Sequence, residues 1–277
     1  FIATGTDFAD GLTLGALAAY SGWPLLLTNA KSLDADTKQA IAQAHPTHVY
    51  IAGGTGAISA AVEQLIIQAT GRSVAEVTVK RFAGANRYAT SASIAECFPE
   101  GAPAFVTTGA NFADGVVAGA PAVKQGGPVI LTTTNTINAS AQDALERLKS
   151  SSVSVVGGKW SSSEVAKIKQ ATGATTVNTY SGSDRYETSV KVANAFYGTG
   201  DKTVTFATGT TFPDALAGVS VATVADSPIV LTKPTCRPKS LEALSKSAKS
   251  KGFLGGTGAV SKASYTTTCV PKPAAPT

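Results

Sequence analysis

Methionine is absent from this chain of 277 residues, and histidine and tryptophan occur only twice each. The two histidines, His45 and His48, fall close together. They are accompanied by neither a His-Glu-x-x-His pattern nor a Cys/His ligand spacing, which argues against a zinc enzyme of the common kinds. No Gly-x-Ser-x-Gly elbow is present, and no Gly-x-Gly-x-x-Gly or Walker lysine motif follows a strand pattern. Paired acids for glycoside hydrolysis stay open, because they need converge only in space. No apolar run approaches the roughly 18 residues that span a bilayer, which speaks against membrane insertion. Lysine and arginine form no run of the kind that makes a nucleic-acid tail. Charged residues are only 15% of the chain, and the net charge of +5 is a mild excess. It favours acidic partners in general and is also ordinary for a basic secreted protein.

Cysteine is scarce as well, and its placement carries information. Cys236 and Cys269 flank the last part of the chain, which suggests one disulfide and an oxidising compartment; three free thiols are the alternative. Cys97 precedes Phe98 on an apolar helical pattern and reads as a buried thiol. The opening Phe1 is no translation start, so this end is expected to arise by processing, proteolysis or truncation.

What the chain does have is a threefold repeat. Ala3–Thr28 reads ATGTDFADGLTLGALAAYSGWPLLLT, Thr107–Thr132 reads TTGANFADGVVAGAPAVKQGGPVILT, and Ala207–Thr232 reads ATGTTFPDALAGVSVATVADSPIVLT. Each copy keeps T-G-x-x-F-x-D at its head and P-φ-φ-L-T at its tail, φ being apolar, without internal gaps. A period near 100 residues is too long for a solenoid and fits three small domains. The expected boundaries are 1–77, 78–175 and 176–277, the last with a Pro-rich tail over Val270–Thr277.

Short, fully apolar strand patterns alternate with helical ones, as in Leu25–Leu27 and His48–Ala52 against Phe8–Tyr20 and Asp36–Ala44. Continuous apolar strands are covered on both faces, which argues for an α/β fold with parallel sheets between helix layers. Ser59 reads as a helix cap with Glu63 in the first turn. Gly53-Gly54-Thr55-Gly56 closes one strand, and Gly-Gly turns recur at Gly157-Gly158 and Gly255-Gly256. The second and third units carry a further head, FAGANRYAT from Phe82 and YSGSDRYET from Tyr180, each before a helix expected over Ser91–Phe98 and Ser189–Tyr197. By the repeat, the first unit is expected to carry about 25 more residues ahead of Phe1.

In the R-Y-x-T head, the T-G-x-x-F-x-D block, the P-I-L/V-L block and the G-G-x-x-A-V/I-S turn, the sequence resembles the type 2 cell-wall-binding repeat family of bacterial surface proteins. The blocks stand in that family's order over nearly the whole chain. The resemblance implies Rossmann-like or Toprim-like three-layer units in a pseudo-threefold arrangement. It further implies a secreted, non-catalytic anchor at the cell wall or cell surface, held without a cofactor by an anionic wall glycopolymer or teichoic-like polymer. Two features depart from the pattern: the shortened first unit, and Gly-Gly-Lys159-Trp160 in the middle unit.

In a parallel sheet the Gly-rich turns share one edge, where helix N-termini and close backbone approach favour phosphate and carboxylate. The same glycines also serve simple strand-to-helix turns. The candidate polymer-binding residues are Arg87, Arg185, Thr6, Gly54, Thr55, Lys31, Lys159 and Lys233. Arg87 and Arg185 recur at one position, either as forks for a polymer anion or as partners of a carboxylate. Asp10, Asp114 and Asp214 recur at another and read as structural or helix-capping residues. Phe8, Phe112 and Phe212 read as core, as do the Pro24, Pro128 and Pro228 blocks. Trp23 and Trp160 occur in single copies; stacking on a sugar is the functional alternative for each. The rivals to an anchor are a wall hydrolase of the amidase type, which would need a histidine cluster, and an adhesive protein whose repeats pack only with one another.

Overall fold

A computed structural model describes residues 1–200 and 202–270. The expected tail therefore lies, beyond Val270, outside the described residues. The first unit runs β1 (Ile2–Thr4), α1 (Ala9–Tyr20), β2 (Leu26–Thr28), α2 (Ala35–Ala44), β3 (His48–Ala52), α3 (Ala60–Ala69) and β4 (Thr78–Phe82). Its sheet is parallel throughout, in the order β2-β1-β3-β4. The second unit repeats this with α4 (Arg87–Ala95), β5 (Ala104–Thr108), α5 (Ala113–Gln125), β6 (Val129–Thr132), α6 (Ala139–Leu148), β7 (Ser152–Val156), α7 (Ser162–Thr172) and β8 (Thr176–Tyr180). The sheet order is β6-β5-β7-β8, again parallel. The third unit has α8 (Arg185–Tyr197), β9 (Thr203–Thr208), α9 (Pro213–Val224), β10 (Ile229–Thr232), α10 (Glu242–Ser247), β11 (Ser250–Phe253) and α11 (Ala263–Thr266). Its three-stranded sheet runs β10-β9-β11.

Strand order dictates the layers. The chain passes from β5 through α5 to β6 on one side of β5, then through α6 back past β5 to β7. With right-handed crossovers, α5 and α6 must lie on opposite faces. The α/β class with parallel sheets therefore holds, in three copies.

The joins between units differ in detail from the sequence reading. β4 and β8 are hydrogen-bonded into the first and second sheets, so the expected boundaries at 77 and 175 fall just before strands that complete the preceding sheet. The helix after each of these strands crosses over: α4 packs on β6 and α6 of the second unit and on α1 of the first. The R-Y-x-T helices also begin earlier than expected, because Asn86 and Asp184 are their N-caps. Asn86 accepts from the N–H groups of Tyr88 and Ala89, and Asp184 from that of Glu187.

The units close around α1, α5 and α9, which pack on one another. Gly115 makes this approach possible: a Cβ there would lie 2.6 Å from Leu12 Cδ1. At one end of the three helices Phe8, Phe112 and Phe212 meet, with ring centroids 6.3, 6.0 and 5.9 Å apart and tilted or edge-on faces. They mark the pseudo-threefold axis and are half-buried rather than wholly inside. The main apolar cluster runs without a break through residues of all three units.

Among the described residues, the third unit has a staple where the first two have a fourth strand. A disulfide joins Cys236 to Cys269 across a separation of 33 residues. Arg237 N–H donates to Thr267 O at 2.7 Å and Cys269 N–H to Arg237 O at 2.9 Å, tying the end of the unit to the loop after β10. Cys97, expected to be buried, is exposed, because α4 ends at Ala95 and the residue falls in the turn beyond it. Pro24 is likewise exposed while Pro128 and Pro228 are buried.

Candidate functional site

In an open parallel sheet, ligand crevices form at the carboxyl ends of strands where the chain order reverses. In the first sheet that point lies between β1 and β3. A cleft of about 330 Å³ opens there, lined by Thr4 at the end of β1, by Thr6, Asp7 and Asp10 after it, and by Gly54 and Gly56 after β3. Its far wall comes from the second unit, through Gly84, Asn86, Arg87 and Thr90. The cleft is therefore an inter-repeat site.

Arg87 organises it. Its Nη1 donates to Gly109 O at 2.7 Å in its own unit, and its Nη2 donates to Asp7 Oδ2 of the first unit at 3.0 Å. The guanidinium carbon stands 5.3 Å from the Phe8 ring centroid, a cation–π distance. The next junction repeats the arrangement. Arg185 Nη1 donates to Gly209 O at 2.6 Å, and its guanidinium stands 5.3 Å from Phe112.

The repeated aspartates are not helix caps. The N-cap positions of α1, α5 and α9 are Phe8, Phe112 and Phe212, without side-chain capping, and Asp10, Asp114 and Asp214 sit in the first turn. The local hydrogen bonds come from other residues, Asp7 accepting from Ala9 N–H and Asn111 from Ala113 N–H. Each repeated aspartate instead abuts the Gly-Gly turn: a Cβ on Gly53, Gly157 or Gly255 would lie within 2.3 Å of the facing carboxylate. The positive φ of these glycines, +91°, +78° and +90°, brings the turn backbone this close. Burial pushes the Asp10 carboxyl up to about 6; the negative charge of Asp7 adds to this and Arg87 opposes it. Burial also pushes Asp114 up to about 6, opposed by Arg185.

Of the residues singled out from sequence, Arg87, Thr6 and Gly54 converge on the first cleft, and Arg185 takes the matching place at the second junction. Thr55 is exposed on the Gly-Gly turn. Lys31 is exposed in the segment after β2, whose Ala30 O accepts from Ser59 N–H at the start of α3. Lys159 is exposed, and its backbone N–H donates to Asn135 Oδ1 at 2.7 Å. Lys233 places its Nζ 5.8 Å from the Tyr186 ring. Neither Lys31, Lys159 nor Lys233 lines the first cleft. Trp160 is half-buried against the core, and Trp23 is exposed away from this cleft.

The sequence reading missed Arg81. Its Nη1 donates to Gly53 O at 2.8 Å, and its Nε donates to Glu63 Oε2 at 3.2 Å, so it clamps the Gly-Gly turn to α3. The residue in register on β8 is Thr179, so no repeat marks it. It missed Asp7 too, whose counterparts are Asn111 and Thr211. Among the described residues, no three His, Cys, Asp or Glu side chains group as a metal site would require.

Three stretches, residues 1–63, 81–167 and 179–265, match the pattern of cell wall binding domain 2. The chain belongs to that family. The first match has 63 residues and the other two 87 each, the difference lying at the R-Y-x-T head. Over 231 residues the chain is 30% identical to the N-acetylmuramoyl-L-alanine amidase LytC of Bacillus subtilis (strain 168), covering 83% of this chain and 44% of that protein. Over 256 residues it is 29% identical to the amidase enhancer of the same organism, covering 92% of this chain and 34% of that one. Among solved structures, Cwp8 from Clostridium difficile matches at TM-score 0.79 and 27% identity, over 95% of this chain and 45% of that one. Cwp6 from Clostridium difficile matches at TM-score 0.81 and 23% identity, over 92% and 41%, a likeness of fold. The chain thus spans less than half the length of each. This is a cell-wall-binding module, at the wall or cell surface.

Proposed function

We propose that the chain is a secreted, non-catalytic anchor that holds an anionic cell-wall polymer, a glycopolymer or teichoic-like chain, in the clefts between its repeats. The observation that carries this reading is the doubled arginine. A guanidinium has five N–H donors. Arg87 uses two inside the protein and Arg185 one, among the described residues. Each is fixed by a carbonyl of its own unit and by a ring of the neighbouring unit, so it is held in place with donors to spare. Such a fork suits phosphate or carboxylate. Thr4, Thr6, Asn86 and Asp10 add hydroxyl, amide and carboxyl groups suited to the sugar or polyol part of such a polymer. Two like sites on one body raise the apparent affinity for a repeating chain.

The test is a pull-down on purified cell walls, before and after their anionic polymers are extracted, at low and high salt. Retention lost on extraction and weakened by salt is the expected result. With both arginines changed, Arg87→Ala and Arg185→Ala, retention is expected to fall at least about 10-fold while the protein stays folded by circular dichroism. Equal retention on extracted walls would overturn the anionic-polymer reading.

A further inference from the structure

The two inter-repeat junctions hold their arginines alike. Arg87 Nη1 and Arg185 Nη1 donate to the equivalent carbonyls of Gly109 and Gly209, at 2.7 and 2.6 Å. Both guanidinium carbons stand 5.3 Å from a ring of the preceding unit, Phe8 or Phe112. The side chains also pass the glycines at the same distance: a Cβ on Gly109 would lie 3.3 Å from Arg87 Cδ, and one on Gly209 3.3 Å from Arg185 Cδ. An aspartate lies within electrostatic reach of each guanidinium, Asp10 at the first and Asp114 at the second. What sets the junctions apart is the residue just ahead of the ring, Asp7 in the first unit and Asn111 in the second.

Asp7 and Asn111 play the same local part. Asp7 Oδ1 accepts from Ala9 N–H at 3.0 Å and Asn111 Oδ1 from Ala113 N–H at 3.2 Å, so either side chain closes the turn into its helix. Only Asp7 also brings charge. Its Oδ2 accepts from Arg87 Nη2 at 3.0 Å, while Arg185 makes no ion pair among the described residues. The second junction has an acid of its own, since Asp184 stands where Asn86 does. That carboxylate is engaged at the N-cap of α8, accepting from Glu187 N–H at 2.8 Å, and does not pair with Arg185. The Gly-Gly turn tilts the balance the same way. Between Gly53 and the N-cap Ser59, the residues Gly54, Gly56 and Ala57 wall the first cleft. From Gly157 to the N-cap Ser161 the turn is two residues shorter and carries the exposed Lys159.

We propose that the two junctions are graded, with Arg185 the primary site for a phosphate or carboxylate group of the polymer. The Asp7 carboxylate is an internal anion that masks Arg87, so a polymer anion enters the first cleft only in competition with it. This ranking rests on the anchor reading and adds to it the residue that sets the order. An anion docking at Arg87 meets a carboxylate already bonded to the fork, whereas beside Arg185 stands the uncharged Asn111 amide. The Asp7 and Arg87 side chains are 50% and 34% exposed, so a polymer can reach the pair and the mask is one of degree. Each unit already carries the other's residue type at this position. Asp7→Asn and Asn111→Asp therefore exchange the charge and keep the oxygen that closes the turn.

The first measurement is the rate at which phenylglyoxal modifies each arginine of the full chain, followed by peptide mass spectrometry, with and without inorganic phosphate. Arg185 is expected to react about 3-fold faster than Arg87 and to be protected at lower phosphate concentration. Asp7→Asn should bring Arg87 level with Arg185, and Asn111→Asp should slow Arg185 by a similar factor. Equal rates and equal protection in the parent chain, or folded variants that leave both unchanged, would overturn the inference. The second measurement is retention on purified cell walls, with circular dichroism to check that each variant is folded. Arg185→Ala is expected to cost at least about 3-fold more retention than Arg87→Ala. Asp7→Asn should raise retention, and Asn111→Asp should lower it. Combining Asp7→Asn with Asn111→Asp should reverse the order of the two alanine variants. Equal losses from the two alanines, or an order that the exchange does not reverse, overturns the ranking even where the walls hold the parent chain. A parent chain that the walls do not retain sinks the anchor reading, while phosphate protection of the two arginines still decides the ranking.

Discussion

Asp10 lines the first cleft and Asp114 holds the matching place at the second junction, both as carboxyls that burial has made reluctant to ionise, near a pKa of 6. The unfolded chain ionises such groups near 3.9. Between these values the folded state binds more protons, so folding stability falls as pH rises from about 4 to 6. Each group contributes on the order of 2 kcal/mol of destabilisation above that window. Asp10→Asn with Asp114→Asn is therefore expected to raise stability at pH 7 by a few kcal/mol and to flatten its pH dependence between 4 and 6, as read by urea unfolding. A loss of stability at pH 7 would show that the carboxylates carry a favourable contact, as a cap would. The same titration predicts wall retention that is stronger at pH 5 than at pH 7.5, because two negative charges leave the clefts. Retention unchanged over that range in the unaltered chain, at fixed salt, would separate the aspartates from binding. Several residues that the structure brings to the first cleft were marked in sequence because they repeat. Arg87 and Arg185 stood out because the pattern returns, but their partners Asp7, Phe8 and Phe112 come from the neighbouring unit. Arg81 left no mark, because the matching position holds threonine.

At the scale of elements, the apolar strands and the helices between them could be read directly, since periodicity and Gly turns fix both. The assignment of β4 and β8 could not. A strand that precedes the R-Y-x-T head looks like the start of a unit, yet it hydrogen-bonds backward while its helix packs forward. The third unit shows what replaces such a strand. Its end is tied by the Cys236–Cys269 bridge and by the two backbone hydrogen bonds of Arg237 and Cys269 with their neighbours. Closing a loop of this length removes about 3–4 kcal/mol of chain entropy from the unfolded state in the loop model. Replacing both cysteines by serine is expected to cost about that much and to loosen the third unit first. Amide exchange should speed up in α10, β11 and α11, while β5 and β7 keep their protection. Uniform acceleration across all three sheets would show that the bridge restrains the whole body rather than one end.

At the scale of the whole molecule, the repeat period announced three units, but closure about an axis follows from features that no single unit displays. Phe8, Phe112 and Phe212 each read as ordinary core positions; only the structure shows that they are one another's partners. Because the apolar cluster runs through all three units, the units are not separable beads. Each central helix buries surface against two neighbours as well as its own sheet, so removing one neighbour exposes apolar area on the other two. The chain is therefore expected to unfold in one cooperative transition, with calorimetric and van't Hoff enthalpies in agreement. Phe112→Ala tests this most directly. It removes a half-buried ring that touches both Phe8 and Phe212 and supports the Arg185 guanidinium. A loss of about 2 kcal/mol is expected, below the range for a fully buried phenylalanine. The loss should appear as a lower midpoint of the same single transition. A second transition confined to the middle unit would mean that the axis is a contact surface between independent domains. In that case the clefts on either side of Phe112 would open without unfolding, and Arg185 would lose the neighbour that holds it in place.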